Sequence, residues 1–340
     1  MDDRATSTRV DQPEAIVHGG DLDAISRRYP DAPQPWIDLS TGINPVPYPL
    51  PELPPASWAR LPSKAEQRAL QSVAAARYGV AGEMIIAAPG TQALLQIMPR
   101  LRPRSHVAVL APTYEEHALC WRRAGHRVEL VDDLDALAAA DVAVIVNPNN
   151  PTGRLQPLDA LGRLASTLRR RDGLLVVDEA FADLYPHEAS LAADLPPATI
   201  VLRSFGKVYG LAGIRLGFAI GPDDIIGHIR DELGPWAVSG PALAIGTAAL
   251  SDDAWLHQTR ARLVHDCARI DALLSDAGCT AIGGTPLFRL IASVSGSDIA
   301  ERLARHGIHV RRFPGQPSWL RFGLPGDEAQ WQRLTQALAG

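Results

Sequence analysis

Two stretches decide the fold: Val142-Ala143-Val144-Ile145-Val146-Asn147-Pro148-Asn149-Asn150-Pro151-Thr152-Gly153 and Leu174-Leu175-Val176-Val177-Asp178-Glu179-Ala180-Phe181. Each opens as an apolar run without alternation and stops abruptly at polar residues. A strand with no polar face is covered on both sides, as parallel strands between two helical layers are. Working outward, His106–Leu110, Arg127–Val131, Ile200–Leu202 and Leu216–Ile220 read as further strands. Glu115–Ala124 and Leu158–Arg170 carry helical patterns between them. The expected class is therefore α/β, with a large, doubly wound, mostly parallel sheet. Ligands of such sheets sit beyond the carboxyl ends of the strands, so the residues that follow each run are the first candidates for a site.

The flanks differ in texture. Prolines at 45, 47, 49, 51, 54, 55 and 62 hold the chain extended and remove ladder donors, so Pro45–Pro62 reads as an arm and not a helix. From Pro241 a single long helical pattern, Leu243–Ser275, leads to strand candidates at Phe288–Ala292, His309–Arg312 and Leu320–Phe322. These suggest a smaller α+β domain. The expected division is an N-terminal arm over 1–47, a large domain over 48–240 and a small domain over 241–340. A chain of 340 residues has room for this.

Composition narrows the function classes. Hydrophobic residues make up 46% and charged residues 21%, a globular profile with disorder expected only in the first dozen positions. A net charge of -5 gives no basic field for a nucleic-acid backbone. The run Arg169-Arg170-Arg171 reads as a solvated helix end, where cations are favoured. The three cysteines, Cys120, Cys267 and Cys279, are widely spaced and form no CxxC pair, which suggests neither a metal site nor a redox centre. A cytoplasmic protein is expected, since the charged start Asp2-Asp3-Arg4 is not followed by a signal-peptide core and no run approaches membrane-spanning length.

The chemistry concentrates after the strands. Ser204-Phe205-Gly206-Lys207-Val208-Tyr209-Gly210-Leu211-Ala212-Gly213-Ile214-Arg215 sets a lysine among glycines, which permit close backbone approach to a ligand. Lys207 and Lys64 are the only lysines in the chain, against abundant arginine. Arginine cannot form a Schiff base, so the exception points to chemistry at Lys207. Asp178 puts a carboxylate at the site edge of the sheet, although an acid there also suits a helix cap. Gly90-Thr91-Gln92 opens a helical pattern whose free N–H groups favour an anion.

In this order and spacing, NPNNPTG, DEAF and SFGKVYGLAGIRLGF resemble the aspartate-aminotransferase-like, fold-type I pyridoxal-phosphate enzymes, over roughly residues 36 to 325. The resemblance implies a cofactor phosphate held by Gly90, Thr91, Gln92, Ser204 and Arg215, with Tyr114 stacked on the ring. It also implies that Asn150 donates to the phenolic oxygen, Asp178 pairs with the ring nitrogen and Lys207 carries the cofactor covalently. Phe181 departs from the pattern, standing where many aminotransferases have a second donor, a tyrosine, to the phenolic oxygen.

His18-Gly19-Gly20-Asp21-Leu22 and Asp38-Leu39-Ser40-Thr41-Gly42-Ile43-Asn44-Pro45 resemble the L-threonine-O-3-phosphate decarboxylases of cobalamin biosynthesis. That resemblance implies a small phosphorylated amino acid as substrate, met by His18, Gly42, Asn44, Asn150 and Arg321, with Arg311 or Arg312 adding a second cation. A homodimer is implied as well, with the proline-rich arm and Tyr48 reaching a neighbouring site. The alternative is an aminotransferase of the histidinol-phosphate type. A non-enzymatic cofactor-binding regulator is disfavoured, because no nucleic-acid module flanks the domain.

Overall fold

The computed structural model describes residues 19–186 and 189–339. The strands in chain order are β1 (Ile37–Leu39), β2 (Ile85–Ala88), β3 (His106–Leu110), β4 (Arg127–Val131), β5 (Val142–Val146) and β6 (Leu174–Asp178). They continue as β7 (Thr199–Ser204), β8 (Gly217–Ile220), β9 (Thr280–Thr285), β10 (Phe288–Ala292), β11 (Ile308–Arg312) and β12 (Trp319–Phe322). A seven-stranded sheet has the order β2-β8-β7-β6-β5-β3-β4, and a five-stranded sheet the order β1-β11-β12-β10-β9.

In the larger sheet only β8 runs against the rest, pairing antiparallel with β2 and β7. The expected α/β class with a mostly parallel sheet is what the chain adopts. Every residue of β5 and β6 is buried, as their unbroken apolar runs require. One face packs on a cluster containing Leu94, Met98 and Trp121. The other packs on the main core with Leu161, Leu164 and Leu168. Each such side chain contributes about 1.5–3 kcal/mol when fully buried.

Some expectations need correction. The helical pattern over Leu243–Ser275 is two helices, Gly240–Leu250 and Asp253–Asp276. Asp252 makes the break, because its carboxylate accepts from Trp255 N at 2.9 Å and caps the second helix. Within the proline-rich arm, Ala56–Ala59 forms one helical turn after Pro54 and Pro55, whose fixed φ suits a helix start. Leu216 lies just outside β8. Strands β1, β2 and β9 and the helix Lys64–Tyr78 are additions to the sequence reading. That helix begins in a capping box, Ser63 with Glu66, and ends at Gly79 in the left-handed region. Among the described residues no helix is long and apolar enough to cross a membrane.

Candidate active site

The adjacent parallel strands β5, β6 and β7 end at Val146, Asp178 and Ser204, and a cavity of about 470 Å³ opens beyond them. Twelve residues singled out in the sequence line it: Gly42, Gly90, Thr91, Gln92, Tyr114, Asn150, Asp178, Ser204, Lys207, Arg215, Arg311 and Arg321. The last two come from β11 and β12 of the smaller sheet, so the cavity wall is built from both sheets.

Local hydrogen bonding explains which polar residues face it. In the turn after β5, Asn147 accepts from Gln156 N at 2.7 Å. Asn149 accepts from Thr113 Oγ1 and donates to Pro112 O and Thr152 Oγ1. Two asparagines therefore build the turn, and Asn150 is the one that lines the cavity, its side-chain oxygen accepting from Arg321 Nη1. After β6 the two acids divide similarly. Glu179 pairs behind the sheet with buried Arg203, which also binds Asp183. Asp178 takes the cavity side, accepting from Ala180 N at 3.0 Å and pairing with His117 Nε2 at 2.9 Å. His117, 2% exposed, is a functional partner that the sequence reading missed.

Ser204 is the N-cap residue of the short helix Phe205–Val208, which carries Lys207 into the cavity. Burial, reinforced by Arg321 and Arg215 and opposed by Asp178, pushes the Lys207 ammonium down to about 8. A lysine in that range is a competent nucleophile near neutral pH. Burial, then Glu116 and Asp178, pushes the Tyr114 phenol up to about 12, so it stays neutral. Gln92 stands between Tyr114 and Glu116, accepting from the tyrosine and donating to the carboxylate.

One end of the cavity is shaped by absent side chains. Gly90, at φ +82°, precedes the helix Thr91–Ile97, and a Cβ there would fall 2.8 Å from Arg215 Nη2. A Cβ at Gly217 would fall 2.7 Å from Thr91 N. Backbone N–H groups and a guanidinium thus crowd one small space, a donor set that suits a phosphate. On the wall from the smaller sheet, burial and then Arg311 push Arg321 down to about 9, which leaves it cationic at neutral pH. Its Nη2 donates to Ser40 O at 2.6 Å and its buried Nε has no partner.

Two expected site residues do not join this group. Asn44 is buried behind it, donating to Val208 O and accepting from Arg262, while its backbone N–H binds Lys207 O. It braces the lysine turn from outside the cavity. Arg312 is exposed and donates to Ser297 Oγ, because neighbours on a strand point to opposite faces and Arg311 takes the inward one. His18 lies outside the described residues.

The model of the family "Aminotransferase class I and II" matches residues 57–338. The chain belongs to that family. It is 44% identical to a threonine-phosphate decarboxylase of Sinorhizobium sp, over 95% of this chain and 98% of the relative. A threonine-phosphate decarboxylase of Pseudomonas aeruginosa is 43% identical over 96% and 98%. Histidinol-phosphate aminotransferase 3 of Mesorhizobium japonicum is more distant, at 28% over 93% and 91%. Among solved structures, the histidinol-phosphate aminotransferase of Sinorhizobium meliloti in complex with pyridoxal-5'-phosphate superposes with a TM-score of 0.80 at 22% identity, over 98% of each chain. This family member thus shares the fold with aminotransferases and far more sequence with decarboxylases.

Proposed function

We propose that the chain is a pyridoxal-phosphate-dependent carboxy-lyase of cobalamin biosynthesis. It converts L-threonine O-3-phosphate to (R)-1-amino-2-propanol O-2-phosphate. The observation that carries this reading is the likeness, 43–44% over nearly the full length of both partners, to two threonine-phosphate decarboxylases. The two cations Arg311 and Arg321, which line the same cavity as Gly90 and Arg215 but come from the smaller sheet, support a substrate with anionic groups of its own.

The residues present fit the cofactor: the space bounded by Gly90, Gly217 and Arg215 excludes side chains and offers donors, and Lys207 is held away from full protonation. Gly90, Thr91, Gln92, Ser204 and Arg215 would hold its phosphate, Tyr114 its ring face, Asn150 its phenolic oxygen, Asp178 its ring nitrogen and Lys207 its aldehyde carbon. When bound, pyridoxal phosphate supplies an electron sink for the bond broken at the substrate α-carbon. His117 Nε2, 2.9 Å from Asp178 Oδ2, orients the carboxylate that would face the ring nitrogen. Arg321 and Arg311 would grip the substrate phosphate, which leaves the carboxylate uncontacted by these two cations and free to be lost as carbon dioxide. Lys207 Nζ, once released from the cofactor, would supply the proton that takes the place of the lost carboxylate at the α-carbon.

Incubating the holoenzyme with L-threonine O-3-phosphate and identifying the product by NMR tests this: aminopropanol phosphate is expected, and a keto acid would contradict it. We also read the enzyme as a cytoplasmic homodimer, with arm, large and small domains at 1–47, 48–240 and 241–340. An apolar groove with exposed Leu50, Trp58, Leu61 and Trp236 borders Arg215, which also lines the cavity, and supports a second copy covering that edge of the site. Three free, buried cysteines suit a reducing compartment.

A further inference from the structure

Four hydrogen bonds and one close packing contact meet at Ser40, the residue after β1. Its carbonyl accepts from Arg321 Nη2 at 2.6 Å, and its hydroxyl donates to Asp38 Oδ1 at 2.5 Å. The hydroxyl also accepts from Gly20 N at 2.7 Å, and the Ser40 amide donates to Asp38 Oδ1 at 2.8 Å. Gly19 lies on the cavity wall, and a Cβ there would fall 2.5 Å from Ser40 O. The carbonyl oxygen that orients Arg321 is therefore also the surface against which the Gly19 backbone packs.

Ser40 itself has no exposed surface, and removing its hydroxyl would take one bond from the exposed Gly20 N–H and one from the half-buried Asp38 carboxylate, untying the turn from β1. Arg321 is held by two oxygens, from Asn150 on the turn after β5 and from Ser40 on the smaller sheet. A guanidinium fixed at both Nη atoms has its plane set before any ligand arrives, which reduces the ordering cost of binding.

We propose that Ser40 is a positioning residue for anion recognition, which fixes the plane of Arg321 and seats the Gly19-Gly20 turn on the same cavity wall as a preformed receptor. This deepens the reading of Arg321 as the receptor for the substrate phosphate and rests on it. Ser40 itself touches no ligand in this scheme.

The test uses the holoenzyme and compares wild type, Ser40→Ala and Gly19→Ala. The first variant removes the hydroxyl. The second pushes the turn off Ser40 O while leaving Ser40, Asp38 and Arg321 chemically intact. Calorimetric titration with L-threonine O-3-phosphate should give an affinity weakened about tenfold in each. KM should rise by the same factor, with kcat and cofactor affinity moving less than about twofold. If Ser40→Ala does not fold, Gly19→Ala decides alone. Unchanged substrate affinity in a folded variant, or equal losses for substrate and cofactor, would overturn the proposal and leave Ser40 a packing residue. A wild-type enzyme that binds the phosphate ester but does not decarboxylate it would defeat the functional reading only, since the affinities still decide on Ser40. A wild-type enzyme that does not bind it would overturn both.

Discussion

At the scale of single residues, the site depends on charges kept under tension in a partly dry cavity. Lys207 has a folded pKa near 8 against an ordinary value of 10.5, so between those limits the unfolded chain binds a proton that the folded chain does not. Stability of the cofactor-free protein should therefore rise as pH climbs from 8 to 10.5. Lys207→Met should be more stable than wild type at pH 7, with a gap that closes over this window and with no turnover. Thermal melts of both apoproteins from pH 7 to 10.5 check this, and a constant gap would refute the burial argument. Arg321 bears on specificity. Losing a charge-assisted contact costs about 1.5–3 kcal/mol, so Arg321→Ala should reduce kcat/KM for threonine phosphate roughly ten- to a hundredfold. Residual reaction with unphosphorylated threonine should fall much less; equal losses would assign Arg321 to the carboxylate and favour the aminotransferase reading. Much of this was legible in the sequence, because one of two lysines stood in a glycine-bounded loop and Asp178 ended a buried run. His117 was not, since nothing in a generic amphipathic helix ties position 117 to position 178. Arg311 could not be separated from Arg312 without knowing the phase of the strand.

At the scale of elements, legibility followed burial. Strands β5 and β6 announce themselves because both faces are covered and every residue is apolar up to the last position. Strand β9, Thr280–Thr285, escaped because its first half is exposed and it includes Gly283 and Gly284, which weaken any strand pattern. Strand β2 is four residues long, too short for a period to show. The apparent single helix Leu243–Ser275 failed for a different reason: apolar spacing continues through Ser251 and Asp252, and only the cap chemistry marks the boundary. That boundary makes a prediction. Asp252 caps Asp253–Asp276 through Trp255 N and accepts from Tyr48 Oη at 3.4 Å. Asp252→Ala should destabilise the protein by about 1 kcal/mol through loss of the cap. Chemical denaturation with two-state fitting measures it; a loss below a few tenths would mean that water replaces the cap.

At the scale of the whole molecule, two sheets that share the main core close on one cavity. The larger sheet supplies Asp178, Asn150 and Lys207, and the smaller supplies Arg311 and Arg321. In the proposed homodimer the groove containing Trp58 and Trp236 would tie assembly to activity, because Arg215 borders both groove and cavity. Trp58→Glu should convert a sedimenting dimer into a monomer and weaken cofactor retention together; a monomeric wild type, or a monomeric variant with full cofactor affinity, would separate the two. The central claim is which bond breaks at the α-carbon. Its most direct test supplies the purified holoenzyme with carboxyl-labelled L-threonine O-3-phosphate, with no keto acid present, and counts released label against product. Release of one carbon dioxide per aminopropanol phosphate formed, over many turnovers, is the predicted result. Retention of the label, with amino transfer that begins only when a keto acid is added, would contradict it.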